Sequence, residues 1–104
     1  MPGIARQNDT VATGHGCDTT TTIQEGSPNV RINGRGAAYA NAALSPHTIT
    51  NSAPLPAPPC IGHSAQVNAG YGRVLVNGRP IARIGDSADL GQITTGSANV
   101  LTSG

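Results

Sequence analysis

His15, His47, Cys60 and His63 are the side chains best suited to chemistry in this sequence: all of its histidines and one of its two cysteines. Imidazole nitrogen and thiolate sulfur are the usual ligands of tetrahedral zinc. Cys60-Ile-Gly-His63 is a C-x-x-H step whose glycine eases a tight turn, letting both side chains grip one ion. His15 stands between Gly14 and Gly16, where backbone can approach closely, and His47 follows Pro46, which fixes φ. Three imidazoles and one thiolate would fill a tetrahedron with no open position, the mark of a structural rather than a catalytic zinc. Cys17 leaves that set open. It could replace His15 or His63, stay free, or form a disulfide with Cys60, although a reducing compartment argues against the disulfide.

Other chemistry is sparse. Asp9, Asp18, Glu25, Asp86 and Asp89 fall in expected turns or strand ends and form no evident carboxylate pair. Asp86 after Gly85 reads as a turn cap. No Ser or Cys occupies a nucleophile elbow, and Gly14-His-Gly16 lacks both the spacing and the lysine of a phosphate loop. The sequence therefore predicts no catalytic residues. The alternative reading is a small zinc-dependent hydrolase using three of the four candidates, with Cys60 or water in the fourth place.

The case for a metal also comes from composition. The chain has 104 residues, two tyrosines, no phenylalanine and no tryptophan, and much of its 37% hydrophobic content is alanine. Burying a Val or Ile contributes roughly 1.5–3 kcal/mol, while ordering each residue costs about 1.5 kcal/mol. A single domain, residues 1–104, with so few bulky groups is expected to need a crosslink, a metal or a partner. Net charge is only +1, and all six basic residues are arginines spread singly. That excludes disorder through charge repulsion, a nucleic-acid footprint and a polybasic membrane patch. With no signal-peptide pattern and no run of 18 apolar residues, synthesis in a cytoplasm without a signal peptide is expected.

The elements that must position these ligands repeat. Gly26-Ser-Pro-Asn-Val-Arg-Ile-Asn-Gly-Arg-Gly-Ala-Ala-Tyr39 aligns with Gly70-Tyr-Gly-Arg-Val-Leu-Val-Asn-Gly-Arg-Pro-Ile-Ala-Arg83. A clipped third copy, Gly96-Ser-Ala-Asn-Val-Leu101, closes the chain, and Ala5-Arg-Gln-Asn-Asp9 matches Ala82-Arg-Ile-Gly-Asp86 near its start. Roughly three units of G-[SY]-x-x-V-x-[IV]-N-G-R-x-x-A-R-x-x-D imply pseudo-threefold symmetry. Val30 with Ile32, and Val74 with Val76, read as short strands. Asn33-Gly34 and Asn77-Gly78 are the pairs that a type I′ hairpin turn needs. Ala37–Tyr39 and Ile81–Ile84 should return, with further strands at 20–23 and 92–95. Residues 41–48 could hold a helical turn or two at most. The proline-rich run 51–60 is expected to be a stiff, extended strap delivering Cys60 and His63. The fold class is all-β, built of short hairpins.

Val-Asn-Gly-Arg-Pro80-Ile-Ala-Arg83-Ile-Gly-Asp resembles the Pro-Ala-Ala-Arg signature of PAAR-repeat proteins. Asn33-Gly-Arg-Gly-Ala-Ala-Tyr39 is similar to a degenerate copy with Gly36 for Pro and Tyr39 for Arg, and Gly26-Ser-Pro-Asn-Val30 also fits the family. The resemblance spans essentially the whole chain. It implies a small β-rich cone, one copy capping a trimeric β-helical spike in a contractile injection machine such as a type VI secretion system or phage tail. It also implies one structural Zn2+ near the apex, held by His15, His47, Cys60 and His63. Its expected localisation is the tip of the apparatus, delivered outward with only transient contact with a target membrane. Effectors would bind non-covalently. A free-standing zinc-stabilised binding domain is a further alternative.

Overall fold

The computed structural model describes residues 2–51, 54 and 56–102. The fold is all-β and contains no helix among the described residues. Two hairpins come directly from the repeats. Strands β3 (Arg31–Ile32) and β4 (Arg35–Gly36) pair antiparallel, as do β7 (Tyr71–Val76) and β8 (Arg79–Ile81). At their tips Asn33 and Gly34 have φ of 55° and 80°, and Asn77 and Gly78 have 52° and 84°. These are the left-handed pairs a type I′ turn demands.

A four-stranded antiparallel sheet runs β2 (Thr20–Thr22), β1 (Thr10–Ala12), β10 (Gly91–Ile93), β9 (Ser87–Ala88). One further hairpin lies outside the repeats: β5 (His47–Thr50) with β6 (Cys60–His63), in register His47↔His63 and Thr50↔Cys60. It replaces the helical turns considered for 41–48, because Asn41 takes φ 75° and the strand starts at His47. The expected extended course of 51–60 falls partly on Ser52, Ala53 and Leu55, which lie outside the described residues. On either side of them the Asn51 N–H donates to the Pro59 carbonyl at 2.8 Å, so the run closes a loop rather than spanning a distance.

The three units meet in register. Ala5 N donates to Ala82 O (3.0 Å), Ala82 N to Ala38 O (2.9 Å) and Ala38 N to Ala5 O (3.0 Å), a closed ring. All three alanines are fully buried. Three residues beyond each, Asn8, Asn41 and Gly85 share a positive φ of 74°, 75° and 92°. Their N–H groups donate to Ile23, Val67 and Ile93, which are also fully buried. A methyl is the largest side chain that lets three backbones approach this closely, so the alanine-rich composition builds a core instead of weakening one. Val11, Ile23, Ala42, Leu44, Val67, Ala88 and Ile93 complete the main cluster, and Ile4, Ala37, Val76 and Ile81 form a second.

The outer contacts repeat as well. Ser27 Oγ accepts from Val30 N (3.0 Å) and donates to Asn77 Oδ1 (2.7 Å), while Asn77 Nδ2 donates to Asn29 Oδ1 (3.0 Å). Ser97 does the same with Val100 N (2.9 Å) and Asn33 Oδ1 (2.6 Å), and Asn33 Nδ2 donates to Asn99 Oδ1 (3.0 Å). Each Gly-Ser-x-Asn-Val run thus grips the Asn-Gly tip of the next unit. The glycine that starts it has no alternative: a Cβ at Gly26, Gly70 or Gly96 would lie 2.7, 2.7 or 2.9 Å from a backbone oxygen of the returning segment. The third hairpin is made from the two ends of the chain, with Ile4 N bonded to Val100 O and Thr102 N to Pro2 O, both at 3.0 Å. The molecule measures 49 × 24 × 20 Å.

Candidate metal centre

Between its Arg-x-x-Asp position and its next buried strand, each unit makes an excursion, and the three excursions converge. The first, between Val11 and Ile23, carries His15. The second, between Leu44 and Val67, carries His47 and His63. The third, only Asp89 to Gln92 between Ala88 and Ile93, carries Asp89. One donor atom from each of His15, His47, His63 and Asp89 falls within 4.8 Å of all the others.

The geometry centres on the carboxylate. Asp89 Oδ2 lies 2.7 Å from His15 Nε2 and 2.8 Å from His47 Nε2, and Oδ1 lies 3.2 Å from His63 Nε2. The rings pack face to face for His15 and His47 (5.4 Å, 16°) and edge-on for His63 against both (5.1 Å). His47 and Asp89 are almost sealed from solvent, His15 less so, and His63 is partly exposed. Burial pushes the Asp89 carboxyl up, but its contacts with His47, His63 and His15 outweigh it and hold it below the ordinary aspartate value. The Asp89 backbone is fixed by its N–H to Gln66 O (3.2 Å) and by Asn68 Nδ2 to its carbonyl (2.9 Å).

The donor set fits a metal ion on proton inventory. His47 Nδ1 sits 3.0 Å from the Ser45 carbonyl, which can only accept, so Nδ1 carries the proton. In the neutral ring Nε2 then offers a lone pair toward a carboxylate oxygen. Two acceptors at 2.8 Å repel unless a positive charge joins them, either a second ring proton or a cation. An orienting Nδ1–H to carbonyl bond is also what metal-ligating histidines usually make. Three imidazoles and a carboxylate suit divalent first-row metals.

Of the four expected ligands, His15, His47 and His63 come together here. Cys60 does not: its sulfur is bonded to Cys17, with the two Cα atoms 6.1 Å apart. Strand geometry explains the difference. Cys60 and His63 occupy β6 rather than a turn, and residues three apart on a strand face opposite sides. His63 shares a face with its cross-strand partner His47, and Cys60 faces away. The disulfide set aside on compartment grounds is therefore present, and Asp89 is the fourth side chain grouped with the three histidines. Asp89, expected in a turn or at a strand end, does lie in a turn, with φ 53°, but the sequence reading did not group it with the histidines. The available signal was symmetry: each of the other two excursions carries a histidine, and Asp89 is the one ligand-type side chain in the short third.

No family model and no curated protein matches the chain.

Proposed function

We propose that this protein is the tip of a trimeric β-helical spike in a contractile injection machine, capping the spike as a single copy and stiffened by a structural Zn2+ at the His15–His47–His63–Asp89 centre. The closed ring of Ala5, Ala38 and Ala82 carries the proposal. One chain that presents three similar edges about one axis can meet three identical edges of a trimer without asymmetry in the partner. Covering them also removes strand edges that would otherwise invite aggregation. The resemblance of residues 76–86 to the Pro-Ala-Ala-Arg signature and the elongated 49 × 24 × 20 Å form support the same reading. With four protein ligands the ion would cross-link all three excursions and leave no position for substrate, which fits a mechanical part with no turnover.

A second reading, a hydrolytic zinc site, is favoured by one observation: an open concavity of about 430 Å³ beside the centre, lined by Asp18, Pro46, His47, Thr48, Gly62, His63 and Ser64. Its one carboxylate, Asp18, is already engaged by the Thr48 N–H (2.8 Å) and hydroxyl (3.0 Å), so it is a poor general base.

The test is co-expression with candidate trimeric β-helical proteins, followed by affinity capture and native mass spectrometry. One copy bound per trimer is expected. A chain that stays monomeric and ignores every such trimer overturns the proposal, and hydrolysis of a model ester by the zinc-loaded protein would favour the second reading.

A further inference from the structure

We propose that the Cys17–Cys60 disulfide is a positioning element for the metal centre, seating the His15 ring against His47 and His63 so that metal affinity depends on the crosslink. The inference rests on the metal-centre part of the reading above and is independent of the spike.

The argument starts from an asymmetry among the ligands. His47 is oriented through its second nitrogen by the Ser45 carbonyl. His15 Nδ1 is buried and, among the described residues, has no hydrogen-bond partner. Outer-shell bonds of this kind fix ring orientation and are worth about 10–100-fold in metal affinity. For His15 the orientation has to come from the main chain. Its loop is held internally, with Thr13 Oγ1 donating to Asp18 O at 2.7 Å. Two ties bind that loop to the β5–β6 hairpin. One is the exchange between Asp18 and Thr48, with Asp18 N donating to Thr48 O at 3.0 Å. The other is the disulfide, two residues from His15 at one end and three from His63 at the other. The loop lies so close that a Cβ on Gly16 would collide with Thr50 Oγ1, and Thr50 is the strand partner of Cys60. Cys17 itself takes φ 64°, a left-handed conformation that the surrounding contacts must hold in place.

A disulfide that only restricts the unfolded chain raises the melting temperature but leaves metal affinity of the folded protein unchanged. A positioning disulfide changes both. The experiment strips metal from the full oxidised chain and from Cys17→Ser/Cys60→Ser, then titrates each with Zn2+ against a chromophoric chelator. The double variant removes the thiols together with the bond, so no sulfur can join the site. Zinc binding weaker by about 10–100-fold is expected. Equal affinity alongside a lowered melting temperature overturns the proposal. A second variant, one glycine inserted after Gly16, keeps the crosslink and lengthens only the arm to His15. It should also weaken zinc by about tenfold or more, and unchanged affinity there overturns the inference even if the double variant does not fold. Absence of zinc binding by the wild type would reject the metal centre and this inference together.

Discussion

The two ends of the molecule are built on opposite plans. At the hairpin end, the same contacts recur: Ser27 and Ser97 grip Asn77 and Asn33 in the same geometry, beneath a ring of three identical backbone bonds. At the histidine end, the excursions differ in length, and unlike parts close them: a disulfide, a carboxylate and three imidazoles. Repetition suffices where each unit can bury apolar residues against the next. Where the excursions leave the core, few bulky side chains remain to cover them, and crosslinks replace packing.

Removing metal should sharpen that contrast most. Structural zinc contributes on the order of 10 kcal/mol in small domains, and each kcal/mol is worth about 4–8 °C at this size. Chelation or His47→Ala should lower the melting temperature by more than about 10 °C. Hydrogen exchange should locate the loss in β5, β6 and the His15 loop while the alanine ring stays protected. A melting curve indifferent to chelator would show that the disulfide and hydrogen bonds hold this end alone.

Asp9 offers an intermediate effect at the symmetric end. Its buried carboxylate accepts from Arg6 N (2.7 Å), Arg6 Nε (3.0 Å), Arg35 Nη2 (3.2 Å) and Thr95 Oγ1 (3.0 Å). Burial raises its pKa, but the Arg6 and Thr95 hydrogen bonds and the Arg35 charge prevail and hold it below the ordinary value. A depressed folded pKa means that the stabilisation is complete above the unfolded value, about pH 4, and is lost as pH falls through the folded one. Asp9→Asn should cost about 1.5–3 kcal/mol at neutral pH in urea unfolding, with the gap from wild type closing below about pH 4. A gap that persists at low pH would mean that packing, not charge, is what Asp9 supplies.

The smallest effect tests equivalence itself. Ser27→Ala and Ser97→Ala should each cost about 1–2 kcal/mol, match within about 0.5 kcal/mol, and add in the double variant. Unequal costs would show that the repetition is geometric but not energetic.

The same division governs what could be read in advance. Val-x-[IV]-Asn-Gly-Arg encodes a strand and a turn locally, so the outgoing strands and the turns of both hairpins were legible, as was the all-β class, but the returning strands are Arg35–Gly36 and Arg79–Ile81 rather than 37–39 and 81–84. The clipped copies at the two termini were recognisable because they are fragments of one motif. The pairing of 81–84 and 37–39 was less so, since Tyr39 bridges Ile81 of another unit and Ala37 bridges Arg6. At the other end, ligand type was legible and partner choice was not. Nothing local in Cys60-Ile-Gly-His63 distinguishes a gripping turn from a strand that sends its ends to opposite faces. That depended on pairing with His47–Thr50, a contact across a proline-rich loop. Asp89 was hidden for a similar reason, because its partners lie 26 to 74 residues away.

The alanine ring has one more consequence. An open stack of repeats can lengthen or shorten by a copy, because each unit touches only its neighbours and the ends are merely capped. Here the first alanine bonds the last, so there is no end at which to add or delete. Loss of a unit would remove two of the three joints and a duplicated unit would have to open one, so closure of the ring opposes any change in copy number.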